Sequence, residues 1–308
     1  MIFSLSIDVG RVAKIGAAIV IGAVVLKQAA HMVADWRRSA ISRARRAAQQ
    51  RDVVYLHVFP RLVSDNLHNS APCLKVESFL RMYKVPYEVL YGMNNADSPT
   101  ERLPFIELNG VAVAESAFII EHVAAHFKLD IKPASSEAAG KTTMLRRLTE
   151  DSLRLHYYRH LMVDNWRKLV PTYAKLTGLP VCVMSLIYTK TMRPRLIATL
   201  NLHGQGDLTD AQYHAEFLAD VKAIESQLTT QKFAVSDEKP TVADCSVFAW
   251  LQNVVWCARQ GIACPAVDYA AHSSVINAYL GRMEGLLYPD KSELLSEASR
   301  KLKSQRFN

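Results

Sequence analysis

The sequence predicts an α+β chain in which a small sheet domain precedes an all-helical half, and three observations carry that reading. Stretches rich in β-branched and aromatic residues are confined to the region before residue 115. From about residue 138 onward, apolar residues recur at helical spacing and the strand signal almost vanishes. Ahead of both lies an apolar segment followed by six arginines between Arg37 and Arg51. The expected organisation is an apolar anchor and Arg-rich juxtamembrane segment over 1–51, a sheet domain over 52–128, a linker over 129–137, an all-helical domain over 138–290 and a polar tail over 291–308.

The arm accounts for the charge of the chain. Residues 1–51 hold nine Lys or Arg against Asp8 and Asp35, so they supply +7 of the net +8. The rest is nearly neutral, which argues against a nucleic-acid partner. Ile15 to Leu26 is uninterrupted and apolar but short of the roughly 20 residues that cross a bilayer. Counting from Val12, with Lys14 and Lys27 snorkelling and Trp36 at the interface, residues 12–36 are expected to form a short membrane-anchor helix. The arginines that follow keep the globular part cytosolic, on either the mitochondrial outer membrane or an endomembrane. A cleaved signal peptide lacks its small-residue site here, and a mitochondrial presequence should be amphipathic rather than uniformly apolar. The five cysteines are odd in number and unpatterned, so no disulfide framework is expected.

Val53 to Phe59 reads as a buried strand, residues 60–70 as a loop, and the stretch from Pro72 as a helix. Val85 to Tyr91 is a second strand, parallel to the first because a helix intervenes. Phe105 to Leu108 and Val111 to Ala114 flank Asn109-Gly110, a strong hairpin signal. Pro104 suits a strand's first residue, and X-Pro is the bond at which a cis peptide is tolerated. A helix then starts at Ser116, where unpaired N–H groups favour an anion. Beyond the linker, helices are expected from about 138 to 169, 172 to 199, 209 to 229, 242 to 260 and 273 to 284. Thr241 and Asp244 form a capping box at the start of a mostly apolar helix. His122 with His126, and His156 with His160, share helix faces, but no carboxylate completes a site, and no metal is expected.

The Pro104 hairpin, Glu115-Ser116 and the Thr241 to Asp244 box together resemble the glutathione transferase superfamily. More narrowly, Ser70 to Met82, Val85 to Glu88, Asn277 to Tyr279, Arg282-Met283 and Tyr288 to Asp290 resemble the branch of the failed-axon-connections, nematode cadmium-responsive and metaxin-like proteins. The resemblance implies a thioredoxin-like N-terminal domain followed by an all-α glutathione transferase C-terminal domain. It also implies glutathione, as substrate or ligand, held by the Leu103 backbone beside Pro104 and by Glu115 and Ser116. At the activating position the chain departs from its relatives. Phe59-Pro60-Arg61 offers no hydroxyl, and Ser70-Ala71-Pro72-Cys73 stands where redox relatives have two cysteines. Ser70 is a candidate hydrogen-bond donor to a thiolate, and Cys73 a candidate thiol lowered in pKa by the helix end. Equally, Ser70 is an N-cap and Cys73 a small core residue.

Two functions follow from the resemblance. One is a membrane-anchored transferase that joins glutathione to an apolar electrophile in detoxification or stress. The other is a catalytically silent adaptor that uses the same fold for protein contacts at a membrane. A homodimer or a protein partner is compatible with either. Thiol reduction through Cys73 alone is a third, weaker idea.

Overall fold

A computed structural model describes residues 44–61, 66–92 and 97–304. The chain divides after Arg51. Residues 44–47, before that division, are helical. The anchor expected over 12–36 lies outside the described residues, and among those described no helix is long and apolar enough to cross a membrane.

The unit from Asp52 onward opens with a four-stranded sheet of β1 (Val54–Val58), β2 (Tyr87–Tyr91), β3 (Phe105–Leu108) and β4 (Val111–Ala114), ordered β2-β1-β3-β4. β1 is central and buried along its whole length, which is why Val-Tyr-Leu-His-Val shows no alternation of apolar and charged residues. It pairs in parallel with β2, Leu56 opposite Val89, and antiparallel with β3, Leu56 opposite Ile106. The parallel pair requires a crossover, supplied by α1 (Ala71–Met82) with Pro72 in its first turn. Asn109 (φ 51°) and Gly110 (φ 84°) occupy the left-handed region together, as a two-residue hairpin turn demands. The Leu103–Pro104 peptide is cis. α2 (Ser116–Phe127) follows β4 directly and closes on Lys128 (φ 52°).

The remainder is helical. A run over 136–164, α3, starts at Ser135, whose Oγ accepts from the Ala138 N–H at 3.1 Å. It loosens to π-helical pitch at Leu148–Leu153 and Arg159–Asp164. α4 (Trp166–Thr177) is separate from it, broken at Asn165 where one helix to residue 169 is expected from the sequence. A run over 181–202, α5, follows after Gly178 (φ 71°) and Pro180, so the helix expected over 172–199 is two. A glycine able to take positive φ, with proline two residues on, is a helix stop. α6 (Asp210–Thr230), α7 (Val242–Arg259), α8 (Pro265–His272), α9 (Ser274–Leu287) and α10 (Lys291–Ser304) complete the order. The sequence offers no sign of α8, which has eight residues and buries only Ala266, Val267 and Ala270. α10 makes helical most of what the sequence suggests is a polar tail.

Two cores meet along α1. Its Cys73, Val76 and Phe79 pack with Leu56, Ile106 and Ile119 on the sheet side. Ala71 and Leu74 join a larger core around α7, buried from Ala243 to Cys257. Asp244 holds the start of that helix. Its carboxylate accepts from the backbone N–H of Thr241 and of Ala234, both at 2.8 Å, and from the Tyr279 hydroxyl at 3.1 Å. The motif near the C-terminus has a similar structural role. Tyr288 pairs its hydroxyl with Ser78 at 3.0 Å, and Arg81 grips Asp290 through two bonds of 2.6 and 3.0 Å. These contacts fasten the chain's end to α1.

Candidate functional site

A polar cleft and an apolar cavity adjoin in this unit, and Tyr158 of α3 lines both. The cleft, about 320 Å³, is walled on the sheet side by Leu103, Pro104, Glu115 and Ser116. The fold therefore gathers all four sequence-predicted binding residues. It does so locally, because the turn into β3, the hairpin and the start of α2 are consecutive in the chain.

Glu115 occupies an unusual backbone position, φ 66° and ψ 120°, between β4 and α2. Such conformations cost about 1–3 kcal/mol and persist where the surroundings impose them. Glu115 is the N-cap of α2, and no side-chain cap hydrogen bond forms there. Ser116 is the first helical residue, where the sequence places the helix start. Neither side chain is consumed in capping, and both stand half-exposed at the helix start.

The opposite wall of the cleft comes from α1 and α3. Lys75 is buried and contacts Glu150 closely, and Ser246 donates to the same carboxylate oxygen at 2.8 Å. That carboxylate neutralises the floor. The mouth carries both signs: Arg102, 77% exposed, stands 3.7 Å from Glu115, while Arg154 and Asp151 face it from α3. A site of this kind suits a small ligand with separated positive and negative groups.

The cavity, about 540 Å³, lies between the loop after β1 and helices α3, α4, α5 and α7. Phe59, Ser70, Tyr173, Met192 and Trp256 are among its lining residues. Burial pushes the Tyr173 hydroxyl up to about 12, so the wall is uncharged there at neutral pH. Ser70 is the N-cap of α1 but its hydroxyl makes no cap hydrogen bond. Its backbone N–H donates to His68 Nδ1 at 3.0 Å, and His68 Nε2 lies 2.9 Å from the Phe59 carbonyl. His68 accepts at Nδ1, so the proton sits on Nε2. This fully buried neutral ring ties the end of β1 to the start of α1, and burial lowers its pKa to about 3. Beneath it, Arg61 forms a buried pair with Glu77 at 2.6 Å and donates to the Tyr91 hydroxyl at 2.9 Å.

Cys73 departs from the lowered pKa expected of it. The thiol is fully buried in the sheet core, and burial pushes it up to about 12, outweighing the opposite pull of the Ser70 hydroxyl. On the order of one thiol in 10⁵ is ionised at pH 7. The helix end favours a thiolate only when its charge is solvated or paired, and here desolvation dominates.

Tyr158 also packs among the helices. Its ring contacts Trp250 at 6.0 Å and lies beneath the Arg154 guanidinium at 5.8 Å. Burial raises its pKa, Arg154 and Arg102 lower it, and Glu115 raises it. The hydroxyl thus senses the charges of the cleft, from a residue that also lines the cavity. No local signal marks it, since Tyr157 beside it is a buried core residue. The histidine pairs have other partners. His156 Nδ1 meets Asp220 at 2.8 Å, His160 Nε2 the Ile262 carbonyl at 3.3 Å and His126 meets Asp52 at 2.8 Å. Among the described residues no cluster of His, Cys, Asp or Glu could hold a metal ion.

Comparison with known proteins agrees with this architecture. Residues 71–166 match the glutathione S-transferase N-terminal domain model. Failed axon connections from Drosophila melanogaster is 27% identical over 260 residues, covering 80% of this chain and 61% of the relative. The chain thus spans less than two thirds of that relative's length. Among solved structures, a variant of human glutathione-S-transferase T1-1 without ligand has a TM-score of 0.50 at 16% identity, over 81% of this chain and 89% of that one. A diazinon-metabolizing glutathione S-transferase of the silkworm Bombyx mori has a TM-score of 0.49 at 13% identity, over 81% and 98% respectively. By its matching segment and its relative, the chain is similar to proteins of the glutathione transferase-like superfamily and, over 80% of its length, to failed axon connections.

Proposed function

We propose that this protein binds glutathione in the polar cleft and joins it to apolar electrophiles admitted to the adjoining cavity, while residues 12–36 anchor it to a membrane. The observation that carries the reading is the meeting of a mixed-charge cleft with an apolar cavity at Tyr158. In this reading residues 52–128 supply the glutathione half and residues 138–290 most of the acceptor half. Glutathione bears one ammonium and two carboxylates. Glu115 takes the ammonium, the Ser116 hydroxyl and the N-terminus of α2 take the neighbouring carboxylate, and Arg102 with Arg154 face the other. The Leu103 backbone pairs with the central cysteinyl residue.

Its thiol then reaches the junction, where Tyr158 and Ser70, both lining the cavity, are the candidate hydroxyls. A hydroxyl donating to sulfur favours the thiolate. The thiolate attacks the electrophilic carbon, an S–C bond forms, the leaving group departs with its electron pair, and the thiol proton passes to solvent. Cys73 has no part in this chemistry.

Conjugation of glutathione to a chloronitrobenzene by the full chain tests the proposal. Turnover is expected, falling about 10–100-fold in Tyr158→Phe, equivalent to about 1.4–2.7 kcal/mol of lost transition-state stabilisation. Absence of turnover in a folded chain that still binds glutathione would leave an adaptor instead.

A further inference from the structure

From Asn165 to Gly206 the chain contains no aspartate or glutamate, yet it carries Arg167, Lys168, Lys175, Lys190, Arg193 and Arg195. Within this stretch α4 and the start of α5 pack against each other through Val170, Ala174, Met184 and Tyr188, a small cluster apart from the two main cores. The other side of the connection is apolar and uncovered. Leu179 is 39% exposed, Val181 50%, Val183 40%, Leu186 60% and Ile187 38%. Five large apolar side chains within nine residues exceed the scattered exposure of an ordinary surface. Within α5, residues 183, 186, 187 and 190 follow the spacing of one helical face, so the exposed Lys190 continues the line of Val183, Leu186 and Ile187, with Leu179 just ahead of the helix.

Charge selects the occupant. An apolar face set in a stretch with only positive formal charge complements a layer that is negative at its surface and apolar beneath. We infer that the α4–α5 connection docks on a bilayer containing anionic lipid. Leu179, Val181, Val183, Leu186 and Ile187 enter the interface, and Lys190 and Arg195 meet lipid phosphates. The contact is independent of the N-terminal arm and of the glutathione chemistry. It has a consequence for both, because Thr172 and Tyr173 of α4, and Met192 and Leu196 of α5, line the apolar cavity. The docked face and that cavity's wall therefore share two helices, so docking places the cavity's outer wall beside the bilayer.

Cys182 lies on this face and is exposed, whereas the other four cysteines are buried. The full chain can therefore be labelled there with a nitrobenzoxadiazole fluorophore and mixed with vesicles of phosphatidylcholine, with or without phosphatidylserine. With phosphatidylserine present, the emission should shift to the blue, rise several-fold and be quenched by nitroxides on the lipid chains. The response should weaken without phosphatidylserine and in Lys190→Glu/Arg195→Glu, and be lost in Val183→Ser/Leu186→Ser. Unchanged emission from a chain that floats with the vesicles would overturn the inference, because the arm alone would then be holding it. Failure to float would do the same, as would a blue shift that needs no lipid and grows with protein concentration, which would assign the face to a second copy.

Discussion

The cleft and the cavity that meet at Tyr158 are built by opposite means. Leu103, Pro104, Glu115 and Ser116 lie within fourteen consecutive positions, and a hairpin turn and a helix start fix their geometry. The cavity draws Phe59, Ser70, Tyr158, Tyr173, Met192 and Trp256 from five separate segments. Local backbone rules set that wall of the cleft; tertiary packing sets its opposite wall and the whole of the cavity. The first half of the site should therefore tolerate damage to distant packing better than the second.

The largest effect is expected from the support beneath the cavity wall. Glu77→Ala leaves the Arg61 guanidinium buried without its carboxylate, and loss of one partner from such a pair costs about 3–5 kcal/mol. Denaturant unfolding should register that loss. At a temperature where the variant remains folded, the wall containing Ser70 should loosen, so binding of an apolar dye should suffer more than binding of glutathione.

A pH titration examines the same wall through His68. Its folded pKa, about 3, lies below the ordinary value of 6.5 because burial disfavours the charged ring. The unfolded chain therefore binds the proton more readily in that interval. The His68 contribution to stability is complete above about pH 6.5 and is lost as pH falls toward 3. Unfolding free energy measured from pH 7 to pH 4 should decline, and His68→Gln should flatten the decline.

Filling the cavity without touching the cleft separates the two halves directly. Thr172→Trp is expected to weaken binding of an apolar naphthalene dye about tenfold, or about 1.4 kcal/mol, while glutathione affinity is unchanged. The smallest effect is reserved for Cys73. Cys73→Ala should cost about 1 kcal/mol of stability through lost packing and leave glutathione binding and turnover intact.

The cleft is legible in the sequence and the cavity mostly not, for a physical reason. Asn109-Gly110 and Pro104 report backbone conformation at their own positions, so a few residues identify the hairpin and the helix start behind it. Thr241 and Asp244 work the same way, and Asp244 does reach back to the Thr241 N–H. Tyr158 carries no such mark. Its place at the junction depends on α3 lining the cleft opposite the sheet-side residues, which periodicity alone cannot reveal. Cys73 defies its expected reactivity because a helix N-terminus is visible in sequence whereas the depth of burial is not. The helix stop at Gly178-Leu179-Pro180 is readable in principle, but the apolar residues on both sides hide it.

Calorimetry of the full chain with reduced glutathione decides whether the cleft holds this ligand. Saturable heat at one site is expected, lost in Glu115→Ala/Ser116→Ala and kept in Tyr158→Phe. A folded parent chain that gives no heat, or a double variant that binds as well as the parent, would contradict it.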